Sequence, residues 1–358
     1  MRGEVAVDRI YTDNWRFPMP LMCTAFEPGT LDKTLDVMLK DDYGVIARAE
    51  AHYYRGCPDE ARSLAEPYLL SDDLSLRLSA CLLCAYANLS LNRALAARRC
   101  LAYLEETGKG QRAVKDPRAQ ASYMLLAASA CVLLHFPSPV SRSEFDSYAS
   151  LLPEGLRLFA TYALAHRAYL DGDYGRCVGM AENALSMKQE SYPIPEVFLH
   201  LIAAVGWINQ RETDRASAHF MRAWQIAQPD GLVEIVGEHH GLLQGVLESC
   251  LKKDHPQEFA EIIKVTERFS CGWRRVHNPG AGATVAESLT TTEFAIAMLA
   301  CRGWTNDEIA AHMGISRGTV KNRLSNTYAK LGVSSRAALK QFVLLWATGQ
   351  VRLFWANN

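Results

Sequence analysis

Apolar residues recur at helical spacing from Leu31 to about Arg275, and stretches that alternate in the manner of a strand are few. Residues three or four apart share one face of a helix, so this spacing is typical of amphipathic helices. The pattern therefore predicts an all-α protein whose residues 1–275 form a helical scaffold.

Four segments of the scaffold share one layout, in which a helix, a short polar turn and a second helix follow one another. The predicted turns centre near Gly56, Asn92, Gly172 and Gln210, so neighbouring turns are 36, 80 and 38 residues apart. The long interval leaves room for one irregular unit around residues 120–155.

The segments resemble the tetratricopeptide repeat, whose unit is about 34 residues long. The match is partial and is best at Tyr169 to Tyr174, followed by Ala181 and Ala184. The resemblance implies stacked helical hairpins, a superhelix and an extended concave surface that binds an effector, a protein partner or a second protomer. A generic helical scaffold or dimerisation domain remains an equal alternative.

The basic end of the chain is set apart by a break in the helical pattern. Residues Asn278 to Gly282 interrupt the helices, so residues 276–288 are predicted to be a linker and residues 289–350 a separate domain. Residues 281–358 hold eight basic and four acidic residues, a net charge of +4 on a chain whose total is −1. Local positive charge favours binding to a phosphate backbone.

The C-terminal domain carries clear signals for the start and end of its helices. Thr290 with Glu293, and Thr305 with Glu308, have the spacing of capping boxes. Further signals are a serine before the third helix and glycines just after the first three helices. These residues are Gly303, Gly314, Ser316 and Gly332, and a fourth helix is predicted from Ser334 or Ser335.

A short helix, a turn containing Gly314 and a longer helix at 316–331 have the layout of a helix-turn-helix. On a helical wheel, Val320, Leu324, Thr327, Tyr328 and Leu331 share the side predicted to pack. The opposite side holds short or hydrogen-bonding residues, which could meet the edges of DNA bases. They are Gly318, Lys321, Asn322, Ser325 and Ala329.

This stretch resembles the LuxR-type (GerE or FixJ) helix-turn-helix over about 55 residues. The resemblance rests on Leu289-Thr290-x-x-Glu293, Asn306-x-Glu308-Ile309-Ala310, Ile315-Ser316-x-x-Thr319-Val320-Lys321 and Lys330-Leu331-Gly332-Val333 followed by Arg336. Two residues depart from the family pattern, Arg323 in place of His and Thr327 in place of Ile. Arg323 is expected to add a phosphate contact and Thr327 to trim the apolar core.

The resemblance and the two faces together predict which residues meet DNA. Base contacts are expected from Lys321, Asn322 and Ser325. Phosphate contacts, or bracing of the helix, are expected from Ser316, Arg317, Thr319, Arg323, Lys330 and Arg336. The last helix of the domain is expected to mediate dimerisation.

Other functions find little support in the sequence. Gly108-Lys109-Gly110 lacks the spacing of a phosphate-binding loop, and no convincing catalytic triad is present, so we expect no enzyme, cofactor or metal site. The ten cysteines, including Cys81 and Cys84, are interpreted as buried thiols. No apolar stretch is long enough for a membrane helix and no secretion signal is found, which favours the cytoplasm.

Two sets of scaffold residues are interpreted as structural. Trp207, Trp224, Tyr53, Tyr54 and Tyr169 are expected to pack between helices rather than line a groove. Residues His239 and His240 are expected to lie on a polar helix face rather than to form a metal site, because adjacent residues point about 100° apart on a helix.

The predicted function is sequence-specific transcription regulation, with double-stranded DNA, RNA polymerase and a homodimer partner as the expected partners. The rival hypothesis is a protein-interaction scaffold in which the helix-turn-helix serves dimerisation or binds a protein.

Overall fold

The computed structural model describes residues 15–38, 40–111, 116–136, 142–277 and 289–339. These residues fold almost wholly into helices, which confirms the predicted all-α class. The scaffold contains α1 Leu31–Val37, α2 Asp42–Tyr54, α3 Pro58–Ala65, α4 Leu74–Ser90, α5 Ala94–Gln111, α6 Pro117–Leu133, α7 Arg142–Ala149, α8 Glu154–Leu170, α9 Tyr174–Met187, α10 Pro193–Asn209, α11 Thr213–Ala227, α12 Val233–Leu243, α13 Val246–Leu251 and α14 Pro256–His277.

Three further helices form the C-terminal domain: α15 Thr291–Cys301, α16 Asn306–Met313 and α17 Arg317–Leu331. A single helical turn at residues 336–339 follows, and the rest of the predicted fourth helix lies outside the described residues. The predicted linker at 276–288 also lies mostly outside them, beyond the end of α14. Among the described helices, none has the length and apolar character needed to cross a membrane.

The scaffold helices pair as hairpins, and the turns that join them share one backbone conformation. A residue with positive φ ends the first helix of each pair, at Gly56 (77°), Asn92 (58°), Gly172 (80°) and Arg211 (66°). The next N–H then reaches back to a carbonyl in the last turn of that helix, as in a Schellman motif. Three of the four turns lie at the predicted residue, and the fourth lies one residue beyond Gln210.

A fifth turn of the same kind fills the long interval between the second and third predicted turns. His135 has φ 52°, and the N–H of Phe136 donates to the carbonyl of Cys131 over 2.8 Å. Helices α6 and α7 flank this turn, in the region where the sequence predicts an irregular unit. Because a histidine takes the left-handed position, the turn lacks the glycine that marks such turns in a sequence.

The first and last parts of the scaffold pack against each other. Helix α14 crosses α4 so closely that a β-carbon at Gly272 would lie 1.9 Å from the carbonyl oxygen of Leu89. Arg268 on the same helix donates to the carbonyl of Gly56 over 3.2 Å. The last helix of the scaffold therefore packs against its first two hairpins. The extended concave surface that the repeat resemblance implies stays a prediction.

The chain preceding the first helix occupies part of the scaffold interior. Residues 17–24 are buried, and the N–H of Leu21 donates to Glu50 Oε1 over 2.9 Å. The N–H of Gly29 donates to Asp230 Oδ2 over 2.7 Å, so one short segment links α2 to the turn that follows α11. Its hydrogen bonds satisfy carboxylates that would otherwise be costly to bury.

The residues interpreted as structural are mostly in the core. Buried side chains include Tyr53, Tyr54, Tyr169, Trp224, Cys81 and Cys84, whereas Trp207 is half-buried. These positions confirm the core interpretation for the two cysteines and for four of the five aromatic residues.

The prediction for His239 and His240 was wrong, because both side chains are buried. Tyr162 lies with its hydroxyl 2.9 Å from His239 Nε2, and Glu248 Oε1 lies 2.9 Å from His240 Nε2. Burial lowers the pKa of His239 to about 4, so that ring is neutral at pH 7. Partners at distant points of the chain offset the cost of these burials, and a single sequence cannot reveal them.

Candidate nucleic-acid interface

Helices α16 and α17 are joined by a short turn built on Gly314. This glycine has φ 62° and ends α16, after which the N–H of Ile315 donates to the carbonyl of Ala310 over 3.1 Å. Gly332, with φ 64°, ends α17 in the same conformation. The arrangement is the predicted helix-turn-helix, with α17 as the longer second helix.

Both predicted capping boxes are formed. At α15 the N–H of Glu293 donates to Thr290 Oγ1 over 3.2 Å, and the N–H of Thr290 donates to Glu293 Oε2 over 2.9 Å. At α16 the pair Thr305 and Glu308 makes the same two bonds, over 3.2 and 2.6 Å. Each box satisfies two backbone donors and so fixes where its helix begins.

One side of α17 packs into the domain. Val320, Leu324, Thr327 and Leu331 are buried, and Tyr328 is half-buried, which confirms the predicted packed face. Thr327 is fully buried, and its hydroxyl donates to the carbonyl of Arg323 over 2.9 Å. The hydroxyl is thus satisfied within its own helix although the residue is buried.

The other side of α17 faces solvent. Lys321, Asn322 and Ser325 are exposed, together with Gly318 and Ala329, and the scaffold does not cover them. The predicted division into a packed and an open face is confirmed. That the open face contacts bases stays a prediction.

Residues near the start of α17 combine a helix cap with exposed charge. The N–H of Thr319 donates to Ser316 Oγ over 3.0 Å, which confirms the predicted serine cap. Arg317 is exposed and lies 3.5 Å from Asp307, an ion pair at the surface that contributes little to stability. Arg323 is also exposed, and its Nη1 lies 4.0 Å from Glu293 Oε1.

Two of the predicted phosphate-contacting residues have partners inside the domain. Lys330 Nζ lies 2.7 Å from Glu293 Oε2, which links the end of α17 to the start of α15. Arg336 donates to the carbonyl of Trp304 and, over 2.5 Å, to Asn306 Oδ1. In this conformation both residues brace the domain, which is one of the two roles expected of them.

The C-terminal domain is docked on the scaffold through α16 and the turn that precedes it. Arg302 donates to the hydroxyls of Tyr169 over 3.0 Å and Tyr174 over 3.2 Å. Arg211, the residue with positive φ between α10 and α11, lies 3.0 Å from Glu308. These contacts were not predicted, because nothing local distinguishes a docking arginine from a solvated one.

A third point of docking lies after α12. His312 Nε2 is 3.0 Å from the carbonyl oxygen of Gln244. Gly245 has φ 88°, and a β-carbon there would lie 3.1 Å from Met313. The scaffold backbone therefore approaches α16 closely at a position that glycine suits.

Comparison with known proteins places the C-terminal domain in a family. Residues 287–343 match the family described as bacterial regulatory proteins, luxR family. The chain is also 57% identical over 86 residues to a protein named "Probable transcriptional regulatory protein SgaR" from Hyphomicrobium methylovorum. This match covers 24% of the present chain and 41% of that relative. No solved structure matches the chain. The C-terminal part of the chain is therefore a helix-turn-helix domain of the LuxR family.

Proposed function

We infer that this protein regulates transcription by binding specific DNA sites through α17. The observation that carries the proposal is the open face of α17, where Lys321, Asn322 and Ser325 are exposed on a helix that is capped, packed from behind and preceded by a braced helix. A helix held in this way can enter the major groove with its side chains directed at base edges.

The chemistry of the open face suits base recognition. A lysine can donate to guanine O6 and N7, and an asparagine can pair with adenine N6 and N7. Gly318 and Ala329 lie on the same face and allow a close approach to DNA. Arg317 and Arg323 lie to either side, where the phosphates of a bound duplex would be.

The relative's name supports the same proposal, since it describes a regulatory protein of transcription. Because the match covers 41% of that relative, the proposal for the whole chain rests on the geometry of the C-terminal domain. RNA polymerase and a second protomer are the proposed partners, and the sites are proposed to be paired half-sites one helical turn apart.

The first test measures binding of the full chain to a genomic fragment library by gel shift, followed by anisotropy titrations on a selected fragment. The double variant Lys321→Ala with Asn322→Ala is expected to lose specific binding, with each lost base contact costing ~1–3 kcal/mol. The double variant Lys253→Ala with Asn183→Ala, in exposed scaffold positions, removes the same groups and is the matched control. Unchanged specific binding by the first variant would show that the assignment of the open face is wrong.

A second test separates base contacts from phosphate contacts through salt. Replacing Arg317 or Arg323 by alanine should weaken binding to all sequences alike and reduce the slope of log K against log salt by about 1 each. The rival hypothesis, in which the helix-turn-helix binds a protein, predicts only weak retention of DNA without sequence preference.

A further inference from the structure

A cavity of about 350 Å³ lies between the scaffold and the C-terminal domain. The scaffold contributes residues from the end of α6, from α12 and from α14, and the C-terminal domain contributes Leu289 and residues of α15. The volume lies at the lower end of the range for small-molecule sites, about 300–1,000 Å³. A molecule bound there would touch both domains at once.

Aromatic rings from both domains form walls of the cavity. Phe269 and Trp273 come from α14 and Phe294 comes from α15, with Met298 one turn further along α15. The Trp273 ring is fixed by an Nε1–H bond of 3.2 Å to the carbonyl of Leu133 and by stacking on His277 at 3.9 Å. Rigid aromatic walls of this kind bind flat apolar groups and also attract cations.

One acidic group in the lining is deeply buried. Glu238 on α12 is 8% exposed and accepts a hydrogen bond from the Tyr53 hydroxyl. Among the residues that the structure describes, no basic side chain lies within ion-pair distance of its carboxyl group. Burial and the neighbouring charge of Glu234 hold the pKa of Glu238 well above its ordinary value.

Glu234, the neighbouring carboxyl on the same helix, differs from Glu238 in having a basic side chain close by. Glu234 lies one helical turn away, accepts from the Ser90 hydroxyl and has Arg268 at 3.3 Å. At the cavity itself, Glu267 and Arg274 also contribute to the lining, one charge of each sign. Glu238 is therefore an acidic group in the cavity wall that has no ion-pair partner among the described residues.

We propose that this cavity binds a small organic cation with an aromatic or similarly flat apolar body, its charge against Glu238 and its body between Trp273, Phe269 and Phe294. An ammonium group beside Glu238 favours the ionised carboxylate, which burial alone disfavours, and the resulting ion pair holds the ligand. The rings supply dispersion and cation–π attraction. An anionic ligand of the same shape meets the Glu238 carboxyl without compensation and is disfavoured.

The position of the cavity gives the ligand a regulatory role, a step that rests on the proposed DNA-binding function. Phe294 lines the cavity and is adjacent to Glu293, whose carboxylate holds Lys330 at the end of α17. A molecule seated against α15 therefore stabilises one placement of the DNA-reading helix relative to the scaffold. The coupling is reciprocal, so specific DNA should alter the affinity for the cation.

The test uses the full chain and three probes that share one body: 2-phenylethylamine, 2-phenylethanol and phenylacetate. Calorimetric titration, without DNA, is expected to show binding of the amine about tenfold or more tighter than that of the alcohol, and least binding of phenylacetate. Equal or tighter binding of the alcohol or phenylacetate, or no saturable binding of the amine at millimolar concentration, overturns the proposal.

Variants locate the binding site. Glu238→Gln keeps the side-chain shape and is expected to weaken amine binding about tenfold or more. Glu261→Gln, at an exposed position on α14, is the matched control and should bind the amine as the parent chain does. Phe294→Leu tests the wall from the C-terminal domain and should also weaken the amine. If Glu238→Gln binds the amine as the parent chain does, the amine lies elsewhere and the proposal is overturned. If Glu238→Gln does not fold, unchanged amine binding in Phe294→Leu has the same meaning.

The variant Lys321→Ala with Asn322→Ala keeps the two proposals apart. It should lose specific DNA binding and still bind the amine, because its substitutions lie on the open face of α17. If the parent chain binds the amine but no specific DNA, the cavity assignment stands and the proposed function fails. If the parent chain binds specific DNA but not the amine, the proposed function stands and the cavity assignment fails.

Discussion

Lys330 Nζ lies 2.7 Å from Glu293 Oε2, so the last turn of α17 is tied to the first turn of α15. The same carboxylate accepts the backbone N–H of Thr290 in the capping box. A single acidic side chain therefore both begins one helix and holds the end of another.

Removing the lysine should loosen the C-terminal domain. Lys330→Met leaves the Glu293 carboxylate, 3% exposed, without its closest cation, and the free energy of local opening should fall by about 1–3 kcal/mol. Hydrogen exchange of the α15 and α17 amides measures this change. Lys321→Met, an exposed lysine on the same helix, should leave exchange unaltered. Equal protection in both variants would mean that the pair does not brace the domain.

The same pair predicts a loss of stability in acid. Burial alone raises the pKa of Glu293, but hydrogen bonds from Lys330 and the Thr290 backbone outweigh it and bring the pKa below the ordinary value of 4.5. A carboxyl with a lowered folded-state pKa contributes stability that is complete above its unfolded pKa and is lost as pH falls through the folded value. Protection of α15 should therefore decline below about pH 4.5, and Lys330→Met should reduce that decline. A decline of the same size in both proteins would argue against the assignment.

Gly314 should be required because its backbone is left-handed, and not because a larger side chain would collide with a neighbour. Its φ is 62° and a β-carbon at this position would have no atom within 4 Å, so Gly314→Ala should cost only the left-handed penalty of about 1–2 kcal/mol. Gly314→Asn should cost less, because asparagine adopts this region more readily. Gly318→Ala, inside α17, should instead be neutral or stabilising. Chemical denaturation of the full chain checks the signs, and a stabilising Gly314→Ala would contradict the turn geometry.

Two scaffold glycines predict opposite outcomes for one chemical change. Gly272→Ala brings a β-carbon to 1.9 Å from the carbonyl oxygen of Leu89, so α14 must move away from α4 and stability should fall by at least about 2 kcal/mol. Gly179 is at an exposed position on α9, where an added β-carbon would have nothing within 4 Å, so Gly179→Ala should gain about 0.5–1 kcal/mol of stability. Urea midpoints of the two variants give the comparison. A harmless Gly272→Ala would mean that the crossing of α4 and α14 is looser than described.

The docking of the two domains can be measured at Arg302. Tyr169→Phe and Arg302→Met each remove one partner of the 3.0 Å hydrogen bond, and a double-mutant cycle should give a coupling of about 1 kcal/mol. Exchange protection of α15 in the full chain is the readout. Tyr103→Phe on α5 is the control and should show no coupling to Arg302→Met. A coupling near zero for Tyr169 would place the domains apart in solution.

The helices of the C-terminal domain could be predicted because their signals are local. Thr290, Thr305 and Ser316 accept from N–H groups three residues away, and Gly314 takes a conformation that few other residues adopt cheaply. Each signal acts within one helical turn, so a single sequence contains all the information. The open and packed faces of α17 follow from the same helical spacing.

Long-range packing could not be predicted in the same way. The buried segment at 17–24 has no helical period, and its partner Glu50 lies on another element. His239 and His240 resemble surface residues until Tyr162 and Glu248 are brought beside them by the fold. The cavity beside Glu238 has the same origin, because its walls come from four separate stretches of the chain.

The C-terminal domain is held at three points that belong to successive parts of the scaffold: Tyr169 on α8, Arg211 after α10 and Gln244 after α12. A change in the angle between neighbouring hairpins alters the spacing of those points. The domain cannot then keep all three contacts and must tilt. The curvature of the hairpin stack is thus coupled mechanically to the direction in which α17 points. This coupling does not require the scaffold to cover the open face of α17.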